Sequence, residues 1–309
     1  MLNVQRLRVL REVAARGTIA AAAEALWVTP SAVSQQLSQL ERETGVPLLE
    51  RDGRRVRLTG AGERLVAHTE RILADIEEAE AELAALGTGI SGYLRTSAFP
   101  TAARSLLVPT LARLGQAHPH LRVSMIDFEP EEAMPALKTG HLDLVLTYEW
   151  DMLPTVDDPG IERTLLLTEP VYLALPHTHR LAGTPVQIAD LADDEWIVGR
   201  DSTSMLDLVV SAANRAGFEP RTDLHSMDFQ VILAAVAEGL GVTLVPPLAL
   251  VGCRPEGVDI QPLVGMQLHR RIHAAIRRGS GDNPAIAVAL AALRERSAIL
   301  EQELPRPGG

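Results

Sequence analysis

The sequence predicts an α/β chain that opens with an all-α winged helix-turn-helix, continues through a long linker helix and ends in a two-lobed α/β domain. Three observations carry this. Residues 17–45 read as two short helices joined by a tight turn. An apolar seam with alternating steps of four and three runs from Leu65 to Leu86. Beyond a glycine-rich break at Gly87–Gly92, strand-like runs alternate with helical ones.

In the first stretch, Gly17 ends a preceding helix, Thr18 caps the next, and Ile19, Ala22, Ala23 and Leu26 form one small apolar face. Thr29 and Pro30 then supply an N-cap and a proline at the first helical position. The helix they start carries two stripes. Val33, Leu37 and Leu40 face inward, and Ser31, Ser34, Gln35, Ser38 and Arg42 make a polar row on another side. Short hydroxyl and amide side chains near a helix N-terminus suit the major groove, where they meet base edges while the helix dipole meets phosphate. An ordinary solvent-facing side has the same composition, so the row alone does not decide.

Residues 48–59, LLERDGRRVRLT, read as a strand, a turn at Asp52-Gly53 and a returning strand. Arg51, Arg54, Arg55 and Arg57 crowd into this hairpin, and guanidiniums on a hairpin can track the DNA backbone or enter a minor groove. Together the hairpin and the helix pair make a wing and a reading head.

The segments TIAAAAEAL, TPSAVSQQLSQLE and RDGRRVRLTGAGERL within residues 1–65 resemble the winged helix-turn-helix of LysR-type transcriptional regulators, and the remaining chain is similar to their usual layout over nearly all its length. The resemblance implies that Ser31, Ser34 and Gln35 face DNA and that Arg54 and Arg55 belong to the wing. The candidate DNA-contacting set is Thr29, Ser31, Ser34, Gln35, Ser38 and Arg42 on the helix, with Arg51, Arg54 and Arg55 on the wing. One departure stands out: many family members have a glutamine where this chain has Pro30, which offers no side-chain hydrogen bond.

A chain of 309 residues suggests two or more domains with sizeable cores. No stretch is long and apolar enough to span a bilayer, and the N-terminus reads as an amphipathic helix rather than a signal peptide, so a cytoplasmic protein is expected. The single cysteine, Cys253, excludes an intrachain disulfide, and no metal or other cofactor is expected. His177 and His179 lack a third ligand nearby in sequence. The net charge of −11 is unevenly spread: residues 1–65 hold 10 arginines against 7 acidic residues, residues 66–87 hold 1 against 6, and the remainder is −9. Basic charge therefore sits where the DNA motif sits.

From Thr59 to about Leu86 the pattern is one long helix, whose seam is Leu65, Thr69, Ile72, Ile76, Ala79, Leu83 and Leu86. Packing on its own domain would explain part of such a seam; its length favours pairing with a second copy. The resemblance implies the same, and it implies a homodimer or homotetramer on an interrupted inverted repeat of double-stranded DNA. The expected domains are residues 1–60, the linker 61–87, and an effector-binding domain 88–309, with lobe 1 at about 92–160 and 268–300 and lobe 2 at about 161–267.

The runs YLRTSA, LRVSMIDF and LDLVLTY alternate with TAARSLLVPTLARLGQ and PEEAMPALKTG, which predicts a lobe on a mostly parallel sheet; VYLALP, WIVG, two helices and GVTLVPP predict a second. Two such lobes enclose a cleft beyond the strand ends, and the resemblance implies a periplasmic-binding-protein-like effector domain there. A strand running into Ser or Thr at a helix start occurs twice, placing Ser97, Phe99 and Thr101 opposite Arg200, Ser202 and Thr203. Such starts suit a carboxylate or another small anion, though helix capping explains the same residues. Asp127 ends another strand, and Tyr148 and Glu149 fall where the chain is expected to cross between lobes.

These features predict a transcriptional regulator modulated by a small-molecule effector. An enzyme using the cleft is the competing class, but no nucleophile elbow, phosphate loop, dinucleotide fingerprint or zinc pattern is present. A transported-solute binder shares the lobes but would require export, which the attached winged helix opposes.

Overall fold

Asn3 and Gly17 bracket the first helix of the computed structural model, which describes residues 2–26, 28–52, 55–85, 90–154, 158–200, 203–252 and 256–305. Helix α1 (Val4–Arg16) starts where the Asn3 side chain accepts from the Gln5 and Arg6 N–H groups and ends at Gly17, whose φ of 70° is open to glycine. Helix α2 (Ile19–Ala25) follows, with Thr18 accepting from the Ala21 N–H at 3.2 Å, and α3 (Pro30–Thr44) begins where Thr29 accepts from the Ala32 N–H at 3.2 Å. Leu7, Leu10, Val13, Ala22, Ala23, Val33, Leu37 and Leu40 bury together as the head's core. The alanines on α2 have no bulk, so α1 and α3 close over it.

Strands β1 (Leu49–Asp52) and β2 (Arg55–Leu58) pair antiparallel with Asp52 opposite Arg55. The strand therefore takes in Asp52, the first residue of the expected turn, and residues 53–54 lie outside the described residues. Val56 N–H donates to Gly17 O at 3.2 Å, which fastens the wing to the head. Helix α4 (Gly60–Ala85) then starts so close to the Leu48 carbonyl that any Cβ on Gly62 would collide with it.

The linker helix is spent partly within the chain. Leu65, Val66 and Ile72 pack on the head's core, and Thr69 and Leu73 are buried. The first half of the predicted seam is thus covered by its own domain, because α1 lies alongside α4. Ile76 stays half-buried; the side chains of Ala79 and Leu83, and Leu86 itself, lie outside the described residues.

Beyond α4 come β3 (Gly92–Ala98), α5 (Pro100–Ala102), a π turn (Ala103–Leu107), α6 (Val108–Ala117), β4 (Leu121–Asp127), α7 (Pro130–Lys138), β5 (Leu144–Trp150) and β6 (Ile161–Pro170). Then follow β7 (Tyr172–Pro176), a 3-10 turn (Ile188–Leu191), β8 (Glu195–Val198), α8 (Ser204–Ala216), β9 (Arg221–His225) and α9 (Phe229–Ala237). The chain closes with β10 (Thr243–Val245), α10 (Pro247–Leu250), β11 (Val258–Pro262), β12 (His269–Arg277) and α11 (Pro284–Glu303).

Lobe 1 is a five-stranded sheet in the order β4-β3-β5-β12-β6, and lobe 2 combines a three-stranded sheet, β10-β7-β11, with the pair β8-β9. Two expectations are corrected here. Residues 161–170, expected to open lobe 2, form β6 of the lobe 1 sheet along β12. That sheet is also mixed: β3 pairs parallel with β4 and β5, while β12 runs antiparallel to β5 and β6. The chain crosses between lobes at residues 170–172 and 263–268, where Val171 N–H donates to Leu268 O at 2.8 Å, and not after Tyr148 and Glu149.

Candidate functional site

The helix-capping and packing residues of α3 fix which face looks outward. With Val33, Leu37 and Leu40 buried, Thr29, Pro30, Ser31, Ser34, Gln35, Ser38 and Arg42 all stand exposed on the other side. Their hydrogen bonds differ. Thr29 Oγ1 lies 2.9 Å from Ser31 Oγ, Ser34 Oγ donates to Pro30 O at 2.9 Å, and Arg42 Nε donates to Ser38 O at 3.3 Å. Ser34 has thus given its proton to the helix and presents an acceptor outward. Gln35 makes no hydrogen bond among the described residues, so both amide functions are open to a base edge. On the wing, Arg57 is exposed opposite Glu50; Arg54 and the side chains of Arg51 and Arg55 lie outside the described residues.

The head rests on lobe 1 of its own chain. Arg11 on α1 donates from Nη2 to Thr139 O at the end of α7. His141 Nε2 lies 3.0 Å from Ala25 O, and because a carbonyl only accepts, that nitrogen carries the proton. Its Nδ1 lies 2.7 Å from the Thr139 hydroxyl, which also reaches Pro135 O at 3.0 Å. Nearby, Asp143 takes two guanidinium bonds from Arg95, at 2.7 and 2.9 Å, plus the Arg95 N–H and Arg277. Burial pushes the Asp143 carboxyl up, but these donors outweigh it and hold it below the ordinary value.

Between the lobes lies a cavity of about 160 Å³. Phe99, Thr101, Arg104, Glu129, Tyr148 and Trp150 line it from lobe 1, and Met205, Met227, Asp228, Phe229 and Gln230 from lobe 2. Its floor is Arg270 on β12, 2% exposed, with Nη2 2.6 Å from Glu169 Oε1; Glu169, 0% exposed, also accepts the Leu248 N–H at 2.7 Å. Burial raises the Glu169 carboxyl, against the pull of Arg270 and that N–H. The rings of Phe99, Tyr148 and Trp150 surround the guanidinium at 5.0, 5.3 and 5.5 Å, and Tyr148 meets each of the other two edge to face.

A chain of polar groups crosses the cleft. Trp150 Nε1 donates to Ser204 Oγ at 3.3 Å, Ser204 Oγ to the Tyr148 hydroxyl at 3.3 Å, and Tyr148 to Glu129 Oε2 at 3.1 Å. Burial pushes the Glu129 carboxyl up to about 7, although the Tyr148 hydroxyl pulls it down. Burial likewise raises the Tyr148 phenol, which stays protonated and donating. Glu131 Oε1, also from lobe 1, accepts the Ser204 N–H at 3.3 Å at the first turn of α8.

Of the expected effector contacts, the structure brings Phe99, Thr101 and Tyr148 to the cavity and leaves the other described ones away from it. Thr101 Oγ1 is held by Arg270 at 3.3 Å. Ser97 is fully buried beside Val145, which packs against α7, so it lies on the far face of the sheet. Glu149 alternates with Tyr148 along β5 and pairs with Arg163 and Arg271 on the opposite face. Asp127 is exposed at the end of β4. Arg200 does not line the cavity, and Thr203 donates its hydroxyl to Arg200 O at 2.6 Å rather than capping α8. Ser202 and Cys253 lie outside the described residues.

Sequence reasoning missed Glu129, Trp150, Glu169, Arg270 and the start of α9. A signal existed for the pair: Glu169 interrupts the apolar run TLLLTEPVYLAL and Arg270 opens the run RRIHAAI, and a charge that a strand carries into the core calls for an opposite one.

A family model for the LysR substrate binding domain matches residues 87–298, and one for the bacterial regulatory helix-turn-helix protein of the lysR family matches residues 4–63. The chain belongs to the LysR family. It is a DNA-binding transcriptional regulator with an effector-binding domain. The chain is 28% identical over 273 residues to the transcriptional dual regulator GltC of Bacillus subtilis strain 168, covering 88% of this chain and 89% of that protein. It is 30% identical over 289 residues to the regulator MetR of Escherichia coli K12, covering 92% and 87%. Among solved structures, full-length OxyR from Pseudomonas aeruginosa shares the fold with a TM-score of 0.68 at 24% identity, over 95% of each chain. CbnR, another LysR family regulator, solved with its target DNA, aligns with a TM-score of 0.54 at 25% identity, over 96% of this chain and all of that one. Among the described residues no helix is long and apolar enough to cross a membrane.

Proposed function

We propose that this LysR-type regulator reads DNA through Thr29, Ser31, Ser34, Gln35, Ser38 and Arg42 on α3, with Arg51, Arg54 and Arg55 on the wing. The observation that carries the proposal is the segregation on α3, where every apolar side chain of the Val33 stripe is buried and every member of the polar row is exposed. A homodimer or homotetramer built through the outer half of α4 presents two heads to an interrupted inverted repeat. The cavity between the lobes holds the small-molecule effector, which changes lobe or subunit arrangement by binding one arrangement better than the other. The chain acts by binding and not by catalysis, in the cytoplasm. Its charge supports this division of labour, since residues 1–65 are basic within a chain of net charge −11.

The test is fluorescence anisotropy of the full chain on its own upstream DNA and on a scrambled duplex across a salt series. Tight binding that prefers the upstream DNA and weakens with salt is expected. Equal affinity for both duplexes, persisting through a selection on genomic DNA, would overturn the proposal.

A further inference from the structure

The cleft's charges point to a particular ligand chemistry. A small anion binds where helix N-termini or guanidiniums offer donors, and here the leading donors of that kind are bonded within the protein. The first turn of α8 gives its Ser204 N–H to Glu131 of the opposite lobe, and α9 gives its Gln230 N–H to Asp228 at 2.8 Å. Arg270 is buried on Glu169, and Arg104 donates to Ala249 O at 3.2 Å. Facing the cavity beside Arg104 are two carboxyls, the half-buried Glu129 and, on the opposite wall, Asp228.

Most of the remaining wall is apolar, from Phe99, Trp150, Met205, Met227 and Phe229, with Thr101 and Gln230 as polar exceptions. Arg270 already sits among the Phe99, Tyr148 and Trp150 rings, so a ligand's charge is met by a carboxylate rather than by an aromatic cage. The cavity of about 160 Å³ is of the order that holds a single benzene-sized body.

We propose that the cleft takes a small organic cation, an ammonium or guanidinium head on an apolar body, with the head seated against Glu129; this rests on the cleft being the effector site. Glu129 lies among Tyr148 on β5, Arg270 on β12, Glu131 and Glu132 on α7, and the cavity-lining Arg104 and Asp228. Its carboxyl, raised to about 7 by burial, is part protonated when the cleft is empty, and a cation favours the ionised form. Binding therefore releases a proton near neutral pH and tightens as pH rises. The ionised fraction grows roughly 10-fold between pH 6 and pH 8 for such a group.

The test is titration calorimetry of the full chain with phenethylamine, phenylacetate and 2-phenylethanol, which share a body and differ in the head. The amine is expected to bind at least about 10-fold tighter than the other two, to release protons in paired buffers, and to weaken roughly 10- to 100-fold in Glu129→Gln. The wild-type pH series gives the same information if the variant does not fold. Phenylacetate or the alcohol binding as well as the amine, a pH-independent amine affinity, or no binding by any of the three would overturn the proposal. DNA anisotropy separates the two layers. Phenylacetate that binds and shifts operator affinity leaves the effector site standing and removes the cationic class; amine binding that needs Glu129 but never moves operator affinity does the reverse.

Discussion

The Glu169–Arg270 pair makes an asymmetric prediction. Both side chains are buried, at 0% and 2% exposure, and are joined at 2.6 and 2.8 Å. Removing one partner from such a pair costs about 3–5 kcal/mol, because the other charge is left in a low-dielectric site. The two survivors are not equivalent. A carboxyl left alone can take a proton, whereas a guanidinium cannot lose one. Glu169→Gln keeps an acceptor for the Leu248 N–H but strands Arg270, so it should cost the full amount at every pH. Arg270→Met strands Glu169, whose folded-state pKa rises further, so its cost shrinks as pH falls toward the unfolded carboxylate value of about 4.3. The double variant removes both charges and should recover most of the loss. Urea unfolding at pH 7.5 and pH 5 is the assay. At about 2–4 °C per kcal/mol for a unit of this size, Glu169→Gln should melt roughly 6–20 °C lower. Single variants that each lose under about 1 kcal/mol, or a double variant as damaged as their sum, would refute the argument.

Gln35→Ala should cost roughly 1–3 kcal/mol on the operator and little on scrambled DNA; equal losses on both would contradict base readout. Arg55→Ala should lower affinity on every duplex and reduce the slope of log affinity against log salt by about 1, and an unchanged slope would remove that arginine from the interface. Ile76→Asp should shift the sedimentation profile to smaller species, while an unaltered profile would place the subunit contact off this seam. Asp143, held low by Arg95 and Arg277, stabilises the fold above the unfolded carboxylate pKa and loses that contribution as pH falls through its own lower value. Asp143→Asn should therefore lower stability at pH 7 and flatten the acid limb below about pH 4 in thermal melts, and a limb unchanged in shape would assign acid unfolding to other groups.

The parts of this fold legible in the sequence are those whose determinants are local. Thr18, Thr29 and Gly17 announce helix ends within four residues, and the Val33–Leu37–Leu40 stripe declares its own burial. The exposure of the polar row on α3 follows from the same periodicity. Sheet membership is different, because β6 gains its place from β12, about 100 residues later, and nothing in IERTLLLTEP says which lobe will pair with it. The strand β11 was illegible for the same reason, since its partner β7 lies more than 80 residues earlier. In the cleft, Thr203 and Ser97 were credible because hydroxyls near helix starts and strand ends often face ligands. Glu131, some 70 residues before α8, takes the donor they were expected to frame, and the pleat turns Ser97 to the far side. Phe99, Thr101 and Tyr148 reach the cavity because a parallel sheet's carboxyl end lies there whatever its partners.

The contact between head and lobe 1 has a genetic corollary. Two acceptors in it, Thr139 O and Ala25 O, are main-chain atoms, while their donors, Arg11 and His141, are side chains. Substituting residue 25 leaves its carbonyl in place, so drift there is tolerated so long as the backbone keeps its path, whereas Thr139 also reaches the His141 ring through its hydroxyl. Loss enters through Arg11, His141 or the Thr139 hydroxyl, and a lost donor cannot be repaired by a side-chain change at a main-chain acceptor. Suppressors of an Arg11 or His141 variant should therefore map elsewhere, to residues that alter the angle at which α4 carries the head.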